Sequence, residues 1–275
     1  MTIEDLPIKI LTKIFSYITK EDLALNVRHV SQRWQEVVDE TQSLWRNYSL
    51  KVPNYMGIKN PISLIKNMPL LKRFDSHYLI DHDDEIVKTL ASYCKVLTVM
   101  IIPYLWISGE STELIIDSFP CLSELHIALN SQMERQIKAV SRSSKLVSLH
   151  LLPHPEAFGQ VTSSLFVPLA EGCPKLSTLF LYDTNYETED INNLLAKKKN
   201  KLECLGWRGS MHSSTFVTLG ECTVLKDLKI WNFCLTDVLQ TSDNIPEINL
   251  PNIKSILYVD SPIQYLSKLI FVSLP

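Results

Sequence analysis

A unit of the form Leu-x-x-Leu-x-Leu, with apolar substitutes, returns eight times along this 275-residue chain, and its period restricts the fold more than any other feature. The units are Leu71-Phe74-Ser76, Leu97-Met100-Ile102, Leu122-Leu125-Ile127, Leu146-Leu149-Leu151, Leu176-Leu179-Leu181, Leu202-Leu205-Trp207, Leu225-Leu228-Ile230 and Ile253-Ile256-Tyr258. Between first positions the steps are 26, 25, 24, 30, 26, 23 and 28 residues. The last two positions of each unit alternate as a strand with one buried face does. Helical spacing fills the gaps: Ile86/Leu90, Ile115/Phe119, Met133/Ile137/Val140, Phe166/Leu169/Ala170, Ile191/Leu194/Leu195 and Phe216/Leu219. One strand plus one helix at this period is a solenoid pattern. A single unit leaves its apolar strand face and helix stripe uncovered, so units must stack, parallel strands inside an arc and helices outside. Met68-Pro69, Phe119-Pro120 and Cys173-Pro174 each stop a helix just ahead of a unit. Cys94, Cys173 and Cys222 precede a first Leu by three residues and so fall at equivalent turns.

The remaining composition narrows chemistry by what it lacks. The six cysteines form no Cys-x-x-Cys pair and have no histidine at metal spacing, which favours buried structural thiols over disulfides or zinc. No basic region precedes the first helix, and the longest apolar run, 96–107, is interrupted by Pro103 and is too short for a membrane span. The expected compartment is the cytoplasm or nucleus. A net charge of −3 sets up no general field for nucleic acid or an anionic membrane. The nucleophile elbow, phosphate loop, zinc-protease and dinucleotide motifs are all missing. The expectation is a chain without catalysis, cofactor or metal. The acidic run Asp81-His82-Asp83-Asp84-Glu85 reads as a helix start and Lys197-Lys198-Lys199-Asn200-Lys201 as a solvated helix end, each signed to suit the helix dipole.

The N-terminus follows another pattern. Apolar residues at 6, 10 and 14 and at 7, 11, 15 and 18 make a stripe wider than a small helical pack can bury alone, so the surplus face needs a partner. Glu4, Asp5 and Pro7 suit a first turn, which sets the helix start near residue 5 or 6. Thr19 caps a second helix with Asp22 three residues on, and a third runs through Val27, Val30, Trp34, Val37 and Val38.

Leu6-Pro7, Ile10-Leu11, Ile14-Phe15, Asp22-Leu23, Val30-Ser31-Gln32-Arg33-Trp34 and Leu44-Trp45-Arg46 closely resemble the F-box family over residues 2 to about 48, with Lys9 where the family often has an acid. The repeats from 61 to about 260 resemble the cysteine-containing leucine-rich repeats that often accompany F-boxes. Asn130 fits their ladder position, whereas Leu105, His154, Ser210 and Phe233 do not. The expected layout is α/β: an F-box at 1–48, a connector at 49–60 and a leucine-rich-repeat solenoid at 61–275 whose last repeat is atypical. The apolar stretch 263–272 lacks a polar cap, which suggests a truncated or alternatively ended form, or a partner that covers the last repeat.

The F-box resemblance implies binding to the Skp-type adaptor of cullin-RING ubiquitin ligases, through Leu6, Pro7, Ile10, Leu11, Ile14, Phe15, Val30 and Trp34. It also implies that the repeats recruit a protein target for ubiquitination and proteasomal degradation; a scaffold acting outside any ligase is the alternative. Residues beside the buried leucines point to the other sheet face. Those of the fifth to seventh units gather Phe180, Tyr182, Arg208, Lys229 and Trp231, an aromatic and cationic set typical of binding hot spots. They are the candidate target-binding residues, suited to a peptide with an apolar anchor and an acidic or phosphorylated group.

Overall fold

The computed structural model describes residues 3–45, 49–52, 59–66, 68–76, 83–153, 164–182, 186–235 and 253–259. Near the N-terminus lie α1 (Ile8–Phe15), α2 (Lys20–Leu25) and α3 (Gln32–Glu40). Helix α1 begins later than its acidic lead-in suggests. Residues 3–5 form a separate 3-10 turn, and Pro7, at φ −57° and ψ 146°, occupies the N-cap with its carbonyl accepting from Ile10 and Leu11. The third helix is also shorter than its apolar spacing implies. Val27–His29 is a 3-10 turn, and Ser31, in extended conformation, caps α3 by accepting from the Trp34 amide at 3.2 Å. Thr19 caps α2 as expected: its hydroxyl accepts from the Asp22 amide and donates to the Asp22 carboxylate.

Among the described residues, the strands beyond these helices form one sheet of nine, all parallel and in sequence order: β1 (Ser49–Val52), β2 (Arg73–Ser76), β3 (Val99–Ile102), β4 (Glu124–Leu129), β5 (Ser148–Pro153), β6 (Thr178–Tyr182), β7 (Cys204–Met211), β8 (Asp227–Leu235) and β9 (Ser255–Val259). The helices between them are α4 (Lys59–Lys66), α5 (Asp83–Tyr93), α6 (Gly109–Ser118), α7 (Met133–Ser141), α8 (Val167–Glu171), α9 (Thr188–Lys198) and α10 (Ser213–Gly220). The eight leucine-spaced units are strands β2 to β9. Their central residues lie in register from Phe74 opposite Met100 through to Leu228 opposite Ile256. The ninth strand, β1, lies within the stretch 49–60 expected as a connector. Residues 49–52 pair with β2 instead, and α4 opens at Lys59 with Pro61 in its first turn, where a missing N–H costs nothing.

Backbone repetition explains why the period survives irregular sequence. At each strand entry one carbonyl accepts from two successive amides of the next unit: Lys72 from Thr98 and Val99, Thr98 from Ser123 and Glu124, and so on to Lys226, which accepts from Lys254 and Ser255. Just before, Met68, Cys94, Phe119, Cys173 and Cys222 each accept at their carbonyl from the amide of the unit's first Leu, all in the same turn. The Cys94 and Cys173 thiols donate to the carbonyls of Met68 and Val140 in the preceding repeat, and burial pushes them up to about 12 and about 11, so they stay protonated. Asn130, the one fitting ladder residue, is buried. Its amide donates to the Ile107 carbonyl of the repeat before at 2.7 Å, and its carbonyl oxygen accepts from Gln132.

One hydrophobic core runs from Leu11, Phe15 and Trp45 through Leu50 into the leucines of every repeat, so the N-terminal helices continue into the solenoid. The lysine run departs from a solvated helix end. Lys198 is buried, and its ammonium donates to the carbonyls of Gly172 and Cys173 in the preceding repeat; Lys199 pairs with Glu221, and Lys197 and Lys201 are exposed. From the acidic run, Asp84 accepts from the amide and hydroxyl of Ser108 ahead of α6; Asp81 and His82 lie outside the described residues, as do 263–272 and His154. Among the described residues no helix is long and apolar enough to cross a membrane, and no group of three metal-ligating side chains occurs.

Candidate functional surfaces

The N-terminal face is assembled by packing behind it. Leu11 and Phe15 point inward and are fully buried, and the Phe15 ring meets Trp34 edge to face at a centroid distance of 5.0 Å. Arg28 forms a bidentate pair with Asp39 that ties the 3-10 turn at 27–29 to α3. Arg33 reaches back to donate to the carbonyls of Glu4 and Leu6 and fixes the segment leading into Pro7. With its interior occupied, α1 turns Ile10 and Ile14 to solvent, 48% and 37% exposed, and leaves Ile8, at its first turn, 60% exposed; Ile3, Tyr17 and Val30 are exposed as well.

The structure therefore divides the eight residues singled out for adaptor binding. Pro7, Ile10, Ile14 and Val30 lie on the exposed face; Leu6 and Trp34 are partly buried against the core; Leu11 and Phe15 belong to the interior. Helical spacing did not single out Ile3, Ile8 and Tyr17. Ile8, three residues before Leu11, lies on the Leu11 side of the first turn, outside both stripes, and Ile10, Ile14 and Tyr17 line up at steps of four and three. Ile10, Ile14 and Tyr17 thus form an exposed apolar strip along one side of α1 and its end.

The second surface is the sheet face turned away from the helices. Its side chains form a stacked row across the strands. The rings of His126 on β4 and His150 on β5 lie parallel at 3.6 Å, and those of His150 and Phe180 on β6 at 4.0 Å. Gly206 on β7 adds no side chain. A Cβ there would stand 2.0 Å from the Phe180 ring, so glycine is required for that ring to lie where it does. Beyond it, the Lys229 ammonium on β8 sits 5.4 Å from the centre of the same ring, a cation–π contact. Tyr182 and Trp231, on strands either side of β7, stack at 5.9 Å, and Trp231 also lies 5.8 Å from Phe180. Arg208 stands between them in register and is exposed. Gly209, at φ 106°, carries the bulge that follows.

All five residues proposed for target binding thus occupy neighbouring strands, with Phe180 mostly buried and Tyr182, Lys229 and Trp231 half-buried. His126 and His150 join the same surface and were not among them; period-two alternation along β4 and β5 puts them on this face, but isolated histidines give no sign of stacking in the sequence. Burial, with His126 and Lys229 nearby, pushes His150 down to about 3. Burial also lowers His126, although the Glu124 carboxylate, 2.9 Å away, opposes it. Burial raises the Tyr182 phenol, against the Arg208 charge. The middle of the surface is consequently neutral at physiological pH.

No curated protein matches this sequence. Among solved structures, a crystal structure of a protein from Bacteroides fragilis is similar at 16% identity and a TM-score of 0.44, covering 74% of this chain and 69% of that one. Residues 3–51 match the F-box-like family model. That span takes in α1 to α3, the exposed isoleucine face and the start of β1, and so the N-terminus of this chain is an F-box-like domain.

Proposed function

We propose that this protein is a non-catalytic substrate receptor of a cullin-RING ubiquitin ligase. Its F-box-like domain engages a Skp-type adaptor, and the solenoid, read as leucine-rich repeats, holds a target protein for ubiquitination and proteasomal degradation. The observation that carries the reading is the exposed strip of Ile10, Ile14 and Tyr17, with Ile8 and Val30 also exposed, on a domain matching that family. A module whose own core is already filled by Leu11, Phe15 and Trp45 has no internal use for that strip. The aromatic surface on the sheet, with Arg208 among its rings, supports the second half, because tightly packed aromatic residues beside Arg are what protein interfaces concentrate. Catalysis would then come from proximity: a held target is presented to the conjugating enzyme at high effective concentration, with no acid, base or nucleophile from this chain. Purification of the tagged chain with a Skp-type adaptor, followed by quantitative mass spectrometry with and without proteasome inhibition, tests it. Proteins that bind only through the sheet surface and accumulate on inhibition support the proposal. An adaptor-free chain, or bound proteins indifferent to inhibition, would contradict it.

A further inference from the structure

Half-buried Lys229 meets an aromatic ring where a cation ordinarily meets a carboxylate or carbonyl. Its ammonium sits 5.4 Å from the centre of the Phe180 ring and, among the described residues, makes neither an ion pair nor a hydrogen bond. A ring face attracts the charge but leaves its three N–H donors unused. Phe180 on β6 and Lys229 on β8 are two strands apart, about 9.6 Å at about 4.8 Å per step, so the ammonium reaches back over Gly206 to the ring. Asp227, two residues before Lys229 on the same face of β8, accepts from the Ser255 hydroxyl instead. Arg208 is already engaged. His150, on the other side of Phe180, is pushed down to about 3 by burial and is uncharged at physiological pH. Trp231, two residues beyond Lys229, stacks with Tyr182 at 5.9 Å and lies 5.8 Å from Phe180. One cation with free donors thus stands at the border of an aromatic wall.

We infer that this corner of the sheet binds the C-terminus of a target protein, its terminal carboxylate on the Lys229 ammonium and a large apolar last side chain against Phe180, Tyr182 and Trp231. This rests on the target-receptor reading above and names the part of the target that is held. The ammonium and the indole lie 5.4 Å and 5.8 Å from the same ring centre, so charge and apolar surface stand side by side. A last residue carries its carboxylate and its side chain on one Cα and meets both at once. The backbone groups of the sheet are committed to the strand ladder, and rings rather than donors face an incoming chain. A chain crossing this surface with an internal Asp or Glu would desolvate peptide groups on both sides of the acid, whereas a chain end desolvates them on one side only. Beside the rings the carboxylate–ammonium contact is a charge-assisted hydrogen bond, stronger than the same pair in open water.

The test is selection on the full chain from random decapeptides displayed with free C-termini, followed by fluorescence polarisation of the enriched peptides as free acids and as C-terminal amides. The expected last residue is aromatic or a long aliphatic. Amidation should weaken binding about 10- to 100-fold, the loss of one charge-assisted contact. Lys229→Gln should weaken the free acid by the same factor and leave the amide unchanged, and Lys229→Arg should keep the preference for the acid. A Tyr182→Ala/Trp231→Ala variant, both positions half-buried and its fold checked by melting temperature, should lose both forms. Peptides that need the rings but bind equally as acid and amide, keep their acid preference in Lys229→Gln, or depend on an internal Asp or Glu overturn this inference and leave the receptor reading standing. Enrichment no greater than on the ring-deleted variant overturns both.

Discussion

Replacing Ile10 by Asp separates docking from folding in the N-terminal domain. The side chain is 48% exposed in the free chain, so about half its surface remains to be buried by a partner. Full burial of such a side chain is worth about 1.5–3 kcal/mol, so truncation to Ala should weaken adaptor binding by about 1 kcal/mol, about fivefold in Kd. Asp adds the desolvation of an unpaired carboxylate at the contact, about 2–3 kcal/mol more, and the combined loss approaches several hundredfold. The free domain should barely notice, since an exposed helix position loses only about 0.5 kcal/mol in propensity. Leu11→Ala provides the opposite case: the side chain is fully buried, and its loss should cost about 2–4 kcal/mol of stability and lower the melting temperature while leaving the docking strip in place. Isothermal titration against a Skp-type adaptor, paired with thermal melts of each variant, reads both quantities. An Ile10→Asp protein that melts like the parent and binds within threefold of it would refute the assignment of the exposed face.

Other consequences concern the solenoid. His150 has a folded pKa near 3 against about 6.5 unfolded, so the unfolded chain takes up the proton first as pH falls; the stabilising effect is complete above about pH 6.5 and is lost below it, by about 2 kcal/mol at pH 5. His126, also lowered, acts in the same direction, and His150→Phe, which keeps a flat ring in the stack, should show a smaller drop between pH 7 and 5 in urea unfolding. Gly206→Ala places a methyl group inside the Phe180 ring and should destabilise by about 1–3 kcal/mol in the same assay while weakening target capture. Asn130→Ala leaves the Gln132 amide without its side-chain partner and the Ile107 carbonyl with only the longer Gln136 contact at 3.4 Å, and should cost about 1–2 kcal/mol, measured by the shift in urea midpoint.

Much of the architecture was legible because backbone repetition imposes it on the side chains. Leucines that face the helices recur wherever a strand returns to the same core, so the register from Phe74 to Ile256 follows from spacing alone. Strand β1 was hidden because Ser49-Leu50-Lys51-Val52 is too short to show a period and is followed by Pro53 and Gly57; only pairing with β2 makes it a strand. Lys198 was hidden for another reason. Charge at a helix end ordinarily signals solvent, and nothing local reveals that two carbonyls of the preceding repeat wait for its ammonium. The same limit applied at the surfaces. Alternation placed Phe180, Tyr182, Arg208, Lys229 and Trp231 on one face, yet the histidine stack depends on neighbours 24 to 30 residues away in sequence, between positions 126, 150 and 180. In α1, stripe width revealed surplus apolar surface, but choosing Ile8 over Leu11 as its exposed part required the packing of Phe15 on Trp34.

The central claim is that one chain joins a ligase through its N-terminal domain and presents a target on its sheet. Mass photometry of the purified chain mixed with a Skp-type adaptor and a cullin–RING subcomplex tests it most directly. The prediction is a single species containing one copy of each component, dispersed to its parts by Ile10→Asp and unaffected by Lys229→Glu. A chain that binds the adaptor but stays out of the cullin assembly would contradict the account and identify a scaffold acting outside the ligase.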